Sequence, residues 1–320
     1  MSLKDKRIGI MMGGLSAERE ISLKSGSAVF HALKTLGLDV VPLEVMRETE
    51  EEIHSLIASH AVDIVFIAMH GGFGEGGALQ YILEKINMPY TGSREKASRL
   101  AMDKIASRQL FEKAELHVPK YQKVHRKSDR LTLNSLRYPL VVKPSAQGSS
   151  IGISFIDTQA HPTEALAEAF KFGDDVLIEE FIRGREVTVS VLDGQALPIV
   201  EIIPKKKFFD FQAKYEKGLT DYVVPAPLSP EEARHVQRDA VIAYHALGCR
   251  HFSRVDMILA DGGTPYVLEV NTIPGMTEMS LFPKAAKAAG MSFDQVCTKL
   301  LELALETNKN FIPRLSRQNK

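Results

Sequence analysis

The sequence predicts a mixed α/β and α+β protein of more than one compact unit, and three observations carry that reading. Its 320 residues are more than one hydrophobic core ordinarily serves. Its beginning alternates apolar strands, glycine turns and helices, as parallel sheets do. Its later part holds Phe252 to Ser280, where two strands flank Asp261-Gly262-Gly263 as in an antiparallel hairpin.

Composition narrows the partners. Lysine plus arginine and aspartate plus glutamate number 40 each, so there is no bulk charge for nucleic acid or an anionic membrane to read. Cys249 and Cys297 cannot build a disulfide framework; among apolar neighbours they read as small buried hydrophobes in a reducing compartment. MSLKDKR leads straight into a strand without an apolar signal core, and no apolar run reaches spanning length. The expected location is the cytoplasm.

Taken in order, Arg7 to Met12 is a short apolar strand ending in Gly13-Gly14. Ser16 then stands near the start of a helix with apolar positions at Ile21, Ala28, Ala32 and Leu36, closed by Gly37. A strand, a glycine turn and a helix start bind anions, although the full dinucleotide fingerprint is missing. Val40 to Val45 and Ile64 to Met69 are further strands, with a charged helix from Glu50 to His60 between them. The glycine-dense run His70-Gly71-Gly72-Phe73-Gly74-Glu75-Gly76-Gly77 follows at a strand's carboxyl end, where open α/β sheets bind ligands. His70 and Glu75 either cap the next helix or line such a site. The first unit closes near Pro89-Tyr90-Thr91-Gly92.

From Ser93 two short helices follow, the second opening on Met102-Asp103-Lys104, and a strand begins after Pro119. Leu140 to Pro144 is a strand delivering Lys143 into the loop Ser145 to Gly152. Successive N–H groups and hydroxyls there suit a triphosphate, with the lysine before the glycines rather than after them as in a Walker A loop. Val176 to Ile182 and the one-sided strand from Glu186 to Val191 meet at Arg183-Gly184. Their connector links two units and offers backbone to a purine edge. Lys205 to Pro227 is a long aperiodic stretch containing Phe208, Lys214 and Tyr215, the composition of a lid. Ser229-Pro230-Glu231-Glu232 starts a capped helix that ends at Gly248, and Ser292 to Glu306 is another amphipathic helix that packs on a sheet.

In the hairpin, Arg254 and Asp256 share one strand face, and Glu269 and Asn271 share a face of the partner strand. Strict alternation adds Val267 to the Glu269 face and puts Tyr266, Leu268 and Val270 on the other. The acidic face is either solvated or a set of hard oxygen ligands for Mg²⁺ shared with a nucleotide phosphate.

The segments GGLSAERE, AMHGGFGEGG, PYTGS, MDK, VVKPSAQGSSIG, EEFIRGREVTV, FFDFQAKY, SRVDMIL and LEVNTIPGMT occur in one order along nearly the whole chain. In that order and spacing the chain resembles the D-alanine–D-alanine ligases of the ATP-grasp superfamily. The resemblance implies an ATP-grasp fold of three lobes: a Rossmann-like substrate lobe (1–92), a central lobe with the phosphate-covering loop (93–183), and a C-terminal lobe with lid and metal hairpin (184–320).

It further implies ATP, two Mg²⁺ ions (with Mn²⁺ as a substitute), D-alanine as substrate, peptidoglycan precursor synthesis and a homodimer. Lys104, Lys143 and Lys214 would contact phosphates beneath Ser149 and Ser150. Glu179, Ile182 and Glu186 would hold adenine and ribose, with Phe208 near the base. Asp256, Glu269 and Asn271 would ligate the metal. Glu18 would bind the first ammonium near His70, Arg254 and the Gly275 backbone would face the oxyanion, and Ser280 would meet the second carboxylate. Tyr215 would link through Ser149 to Glu18. Gly76, Gln147 and Met279 depart from residues frequent in relatives. The alternatives are a D-alanyl-D-lactate or mixed D-dipeptide ligase of the same fold, against which Tyr215 speaks, and a nucleotide-binding module that has lost catalysis, against which the intact metal trio and Lys143 speak.

Overall fold

The computed structural model describes residues 2–128, 133, 135–148, 151–157, 162–205 and 220–309. The chain opens with β1 (Arg7–Gly13), α1 (Arg19–Thr35), β2 (Asp39–Val45), α2 (Glu50–Ser59) and β3 (Ile64–Ile67). These strands form a parallel sheet in the order β2-β1-β3, and Tyr90 adds a parallel bridge beside Val65. Continuous apolar runs make β1 and β3 buried strands because both sheet faces are covered.

The packing face of α1 differs from the expected one. It buries Ser22, Ser25, Gly26, Val29, Ala32 and Leu33, whereas Leu36 is exposed and Ile21 and Ala28 are half-buried. The helix approaches β1 through small residues; a Cβ added at Gly26 would lie 2.7 Å from the Met12 Cβ. Ala32 is buried as expected, while close approach to β1 selects the small residues Ser22, Ser25 and Gly26 in place of Ile21 and Ala28.

Four helices follow: α3 (Gly72–Glu75), α4 (Ala78–Lys85), α5 (Glu95–Met102) and α6 (Lys104–Lys113), the last capped by the Asp103 carboxylate. Next come β4 (Tyr121–His125), β5 (Leu140–Pro144), β6 (Ser154–Ile156), α7 (Thr163–Ala169) and β7 (Asp175–Glu180). The strands make an antiparallel sheet ordered β4-β7-β5-β6, closed over a core that includes Leu140, Val142, Leu166 and Ile178.

The remainder comprises β8 (Gly184–Leu192), β9 (Gln195–Ala196), β10 (Val200–Pro204), β11 (Thr220–Val223), α8 (Pro230–Ala246), β12 (Phe252–Ala260), β13 (Pro265–Asn271), α9 (Leu281–Ala288) and α10 (Phe293–Lys309). Its antiparallel sheet runs β11-β10-β8-β12-β13. Thr220–Val223 is thus an edge strand, not part of an aperiodic stretch, because β10 supplies a distant pairing partner. Helix α8 begins with the expected capping box of Ser229 and Glu232.

The hairpin departs from strict alternation. Asp256 pairs with Glu269 but Met257 pairs with Val267, so Leu268 is an extra residue in the ladder. Val267 and Val270 therefore both enter the core with Val255 and Met257, and Glu269 and Asn271 face Asp256 and Arg254. The bulge turns the acidic groups towards one another while keeping both flanking valines buried.

Helices α9 and α10 share a core with β1, β3 and α1, where Phe66 and Leu33 meet Phe282, Leu300 and Leu301. Phe252, fully buried, stands edge-on to Phe282 at 5.4 Å between ring centres. At the same junction His251 accepts the Gly92 N–H at Nδ1 (3.1 Å) and meets the Thr307 hydroxyl at Nε2 (2.9 Å).

Burial pushes His251 down to about 3, with the Arg250 and Arg94 charges adding to the effect. Its ordinary value is near 6.5. The folded state thus binds fewer protons than the unfolded state between those values, and the stability held above pH about 6.5 is lost as pH falls towards 3. Urea denaturation across that window is expected to show a shallower acid loss in His251→Gln than in the wild type.

Both cysteines are buried and free, and burial pushes Cys249 up to about 12, as expected of inert core thiols. Among the described residues no helix is long and apolar enough to cross a membrane.

Candidate active site

A cavity of about 1130 Å³ lies among α1, the loop after β3, the α5–α6 junction, Gly148 and the strands β10 to β13. Glu18, His70, Lys104, Arg254, Asp256, Glu269, Asn271, Gly275 and Ser280, named from sequence, all line it.

Helix α1 and the loop after β3 supply one wall. Glu18 immediately precedes α1, and Gly71 takes a φ of 85° at the end of the β3 loop. A Cβ at Gly71 would lie 2.6 Å from that of Ser16, so the turn requires glycine. Ser16 does not cap α1; its hydroxyl donates to the His70 carbonyl and accepts the Glu18 N–H. His70 and Glu75 are buried and paired, Nδ1 to Oε1, at 3.1 Å. On the other ring edge Nε2 meets the Ser25 hydroxyl at 3.2 Å, and that hydroxyl accepts the Met276 N–H. With Ser25 donating to Nε2, the Nδ1–H donates to Glu75, a self-consistent neutral tautomer. Burial raises Glu75, opposed by its bond to His70 and reinforced by the Glu18 charge. Ser25, a small serine on an apolar-looking helix, carries no signal in the sequence.

The hairpin supplies the floor. Arg254 clamps Asp256 with Nε to Oδ1 at 2.8 Å and Nη2 to Oδ2 at 2.7 Å. From β8, the buried Thr188 hydroxyl lies 2.6 Å from Asp256 Oδ1. Lys104 Nζ stands 3.2 Å from Glu269 Oε2 and donates to the Gln147 carbonyl at 2.7 Å. That second contact is to backbone, so a glutamine at 147 serves it as well as a glutamate. The Lys104 N–H also donates to the Ser145 carbonyl, which ties the start of α6 to the phosphate-type loop.

Behind this floor Lys143 and Glu179 form a buried ion pair, Nζ to Oε1 at 2.5 Å, and Arg108 Nη2 reaches Glu179 Oε2 at 2.8 Å. Burial pushes Lys143 down to about 8 against the opposing pull of Glu179. Arg108 was not anticipated from sequence; its one signal is its place four residues after Lys104, on the same helix face. Ile182 and Glu186 stand apart from the cavity lining, on the connector and first turn of strand where the two antiparallel sheets meet. Ser149, Ser150, Phe208, Lys214 and Tyr215 lie outside the described residues.

At the far end, the Ser280 hydroxyl accepts the Thr277 N–H at 3.1 Å and bonds the Thr277 hydroxyl at 2.8 Å, packing against Gly275. Met279 beside it is exposed on the cavity rim.

The donor set suits a hard divalent cation. Asp256 and Glu269 are cross-strand partners with Asn271 on the same face, and the two carboxylates are matched by Arg254 and Lys104. Among the described residues no group of three His, Cys, Asp or Glu gathers for a metal. Two carboxylates and an amide is the partial set expected when phosphate oxygens complete an Mg²⁺ shell.

Comparison with known proteins agrees with this geometry. A model of the D-ala D-ala ligase C-terminus matches residues 110–302, and one of the D-ala D-ala ligase N-terminus matches residues 44–93. The chain is 45% identical over 304 residues to the D-alanine–D-alanine ligase of Geotalea uraniireducens, covering 94% of this chain and 96% of that one. The crystal structure of the Bacillus anthracis D-alanine–D-alanine ligase complexed with ATP matches at a TM-score of 0.84 and 32% identity, over 95% of this chain and 99% of that one. The VanG D-Ala:D-Ser ligase from Enterococcus faecalis matches at a TM-score of 0.80 and 32% identity, over 93% and 99%. With the ATP-grasp fold in place, the chain belongs to the D-alanine–D-alanine ligase family.

Proposed function

We propose that this protein joins two D-alanines at the expense of ATP, through a D-alanyl phosphate, to give D-alanyl-D-alanine for peptidoglycan precursors. The observation that carries the reading is the meeting of Glu18 and His70 with Lys104, Arg254, Asp256, Glu269 and Asn271 around one cavity. Three lobes, 1–92, 93–183 and 184–320, belong to the same proposal, as do a homodimer and a cytoplasmic location.

In the first half-reaction the carboxylate of one D-alanine attacks the γ-phosphorus of ATP and ADP leaves. This step asks for charge neutralisation and alignment more than covalent help. Lys104 and Lys143, with Lys214, Ser149 and Ser150, would hold the phosphates, and Glu179, Ile182, Glu186 and Phe208 the nucleoside. Asp256, Glu269 and Asn271 would hold Mg²⁺, two ions in all with Mn²⁺ as a substitute, which when bound neutralises phosphate charge. Glu18 would take the ammonium of the first D-alanine and orient its carboxylate.

In the second half-reaction the amine of the other D-alanine attacks the acyl carbon. The C–N bond forms, the C–O bond to phosphate breaks, and phosphate departs as the hydrogen phosphate that takes up the proton lost by the amine. Negative charge gathers on the carbonyl oxygen, facing Arg254 and the Gly275 N–H. A guanidinium has five N–H donors, and Asp256 engages two of them. Ser280 would meet the second carboxylate, and Tyr215 would tie the lid through Ser149 to Glu18, excluding water from the acyl phosphate.

Phosphate release is expected to require ATP, Mg²⁺ and D-alanine, with mass spectrometry finding the dipeptide. Equal turnover with L-alanine would contradict the reading. The likeness to a D-Ala:D-Ser ligase keeps a mixed product in view. Competing D-alanine against D-serine and D-lactate as second substrate is expected to favour D-alanine.

A further inference from the structure

Arg108 is the largest fully buried side chain among the described residues. It projects from α6 one turn after Lys104 and spans two sheets. Nη2 donates to Glu179 Oε2 on β7 at 2.8 Å, and Nη1 donates to the Val267 carbonyl beside the β13 bulge. Glu179, itself buried, is held from both sides, since its other oxygen takes Lys143 at 2.5 Å.

These contacts present a conflict that the proposed chemistry must resolve. A Lys143 that also serves a phosphate shares one positive charge between two anions, so it no longer balances the buried Glu179 by itself. A buried carboxylate left without a cation either protonates or keeps the lysine from leaving. Arg108 has no comparable alternative: it is enclosed, and a second contact pins it to the hairpin backbone.

We infer that Arg108 is the standing counter-charge of Glu179, a positioning residue that keeps this carboxylate ionised and in place while Lys143 turns to the triphosphate. The inference rests on the ATP reading of the same site. The electrostatics agree with it. Burial raises Glu179, but Lys143 and Arg108 together hold it below the usual carboxylate range. Burial also pushes Lys143 down to about 8, so a further anionic partner strengthens its charged form.

Adenosine, which has no phosphate to recruit Lys143, separates this role from a merely structural one. Binding of ATP and of adenosine to the full-length wild type, Arg108→Met, Arg108→Lys, Glu179→Gln and the double variant Arg108→Met with Glu179→Gln is measured by calorimetry, with thermal melts as a check on folding. Arg108→Met is expected to lower the ratio of ATP to adenosine affinity by about tenfold or more. Arg108→Lys is expected to restore much of it. In the double variant the ratio should match that of Glu179→Gln alone, because no buried carboxylate then needs a counter-charge. If Arg108→Met does not fold, that comparison carries the test, and a further drop in the double variant would overturn the inference. Equal losses for ATP and adenosine in Arg108→Met would also overturn it while leaving the ATP reading intact. A wild type that binds no ATP would overturn both.

Discussion

Asp256→Asn is expected to lower kcat/KM by about 10²–10³-fold and to raise the Mg²⁺ concentration needed for half-maximal turnover by about 10–100-fold. The substitution keeps the size and shape of the side chain, so β12 has no reason to move. What it removes is charge at the centre of the floor. Arg254 aims both arms of its fork at this carboxylate, and Thr188 supports it from β8. Without the negative charge the guanidinium loses its bidentate partner, and a half-buried charge-assisted contact is costly to break. The proposed cation site would lose one of its two carboxylates at the same time. Magnesium titrations of initial rate will separate the effects: a loss that saturating Mg²⁺ fully restores would assign Asp256 to metal affinity alone.

Phe252→Ala is expected to destabilise the fold by about 3–5 kcal/mol, the range for emptying an aromatic site in a core. The ring is fully buried where β12 begins, against Phe282 of α9, in the core that also holds Ile8, Ile10 and Phe66. It therefore fastens the hairpin of the site to the N-terminal sheet. A cavity at this joint weakens two sheets at once, and the surrounding strands have little freedom to collapse into it. The midpoint of urea unfolding should fall with little change in slope. An unaltered midpoint would mean that the joint is held elsewhere.

Much of the site was legible because its chemistry depends on residue type at short range. A lysine on a strand before a Gly/Ser loop, or a carboxylate and an amide two apart on a strand, announces itself locally. What escaped detection depended on packing between distant segments. The bulge at Leu268 breaks a two-residue period without changing composition, so alternation misplaced Val267. On α1, Ala32 is buried as its apolar character suggests, but Ser22, Ser25 and Gly26 are buried through the helix's close approach to β1, which hydrophobicity does not encode. Thr220–Val223 became a strand only because β10 lies beside it. Arg108 looks like any surface arginine until α6 is seen wedged between two sheets. Its partner Glu179 lies 71 positions away in the chain, and no local pattern joins them.

Oxygen transfer is the most direct test of whether one cavity serves both proposed half-reactions through an acyl phosphate. D-alanine bearing heavy oxygen in its carboxylate is supplied with ATP and Mg²⁺, and the released phosphate is analysed by mass spectrometry. Attack of the carboxylate on the γ-phosphorus, followed by C–O cleavage, predicts one heavy oxygen in each phosphate and the other in the peptide carbonyl. Phosphate free of label, with dipeptide formed, would contradict the account.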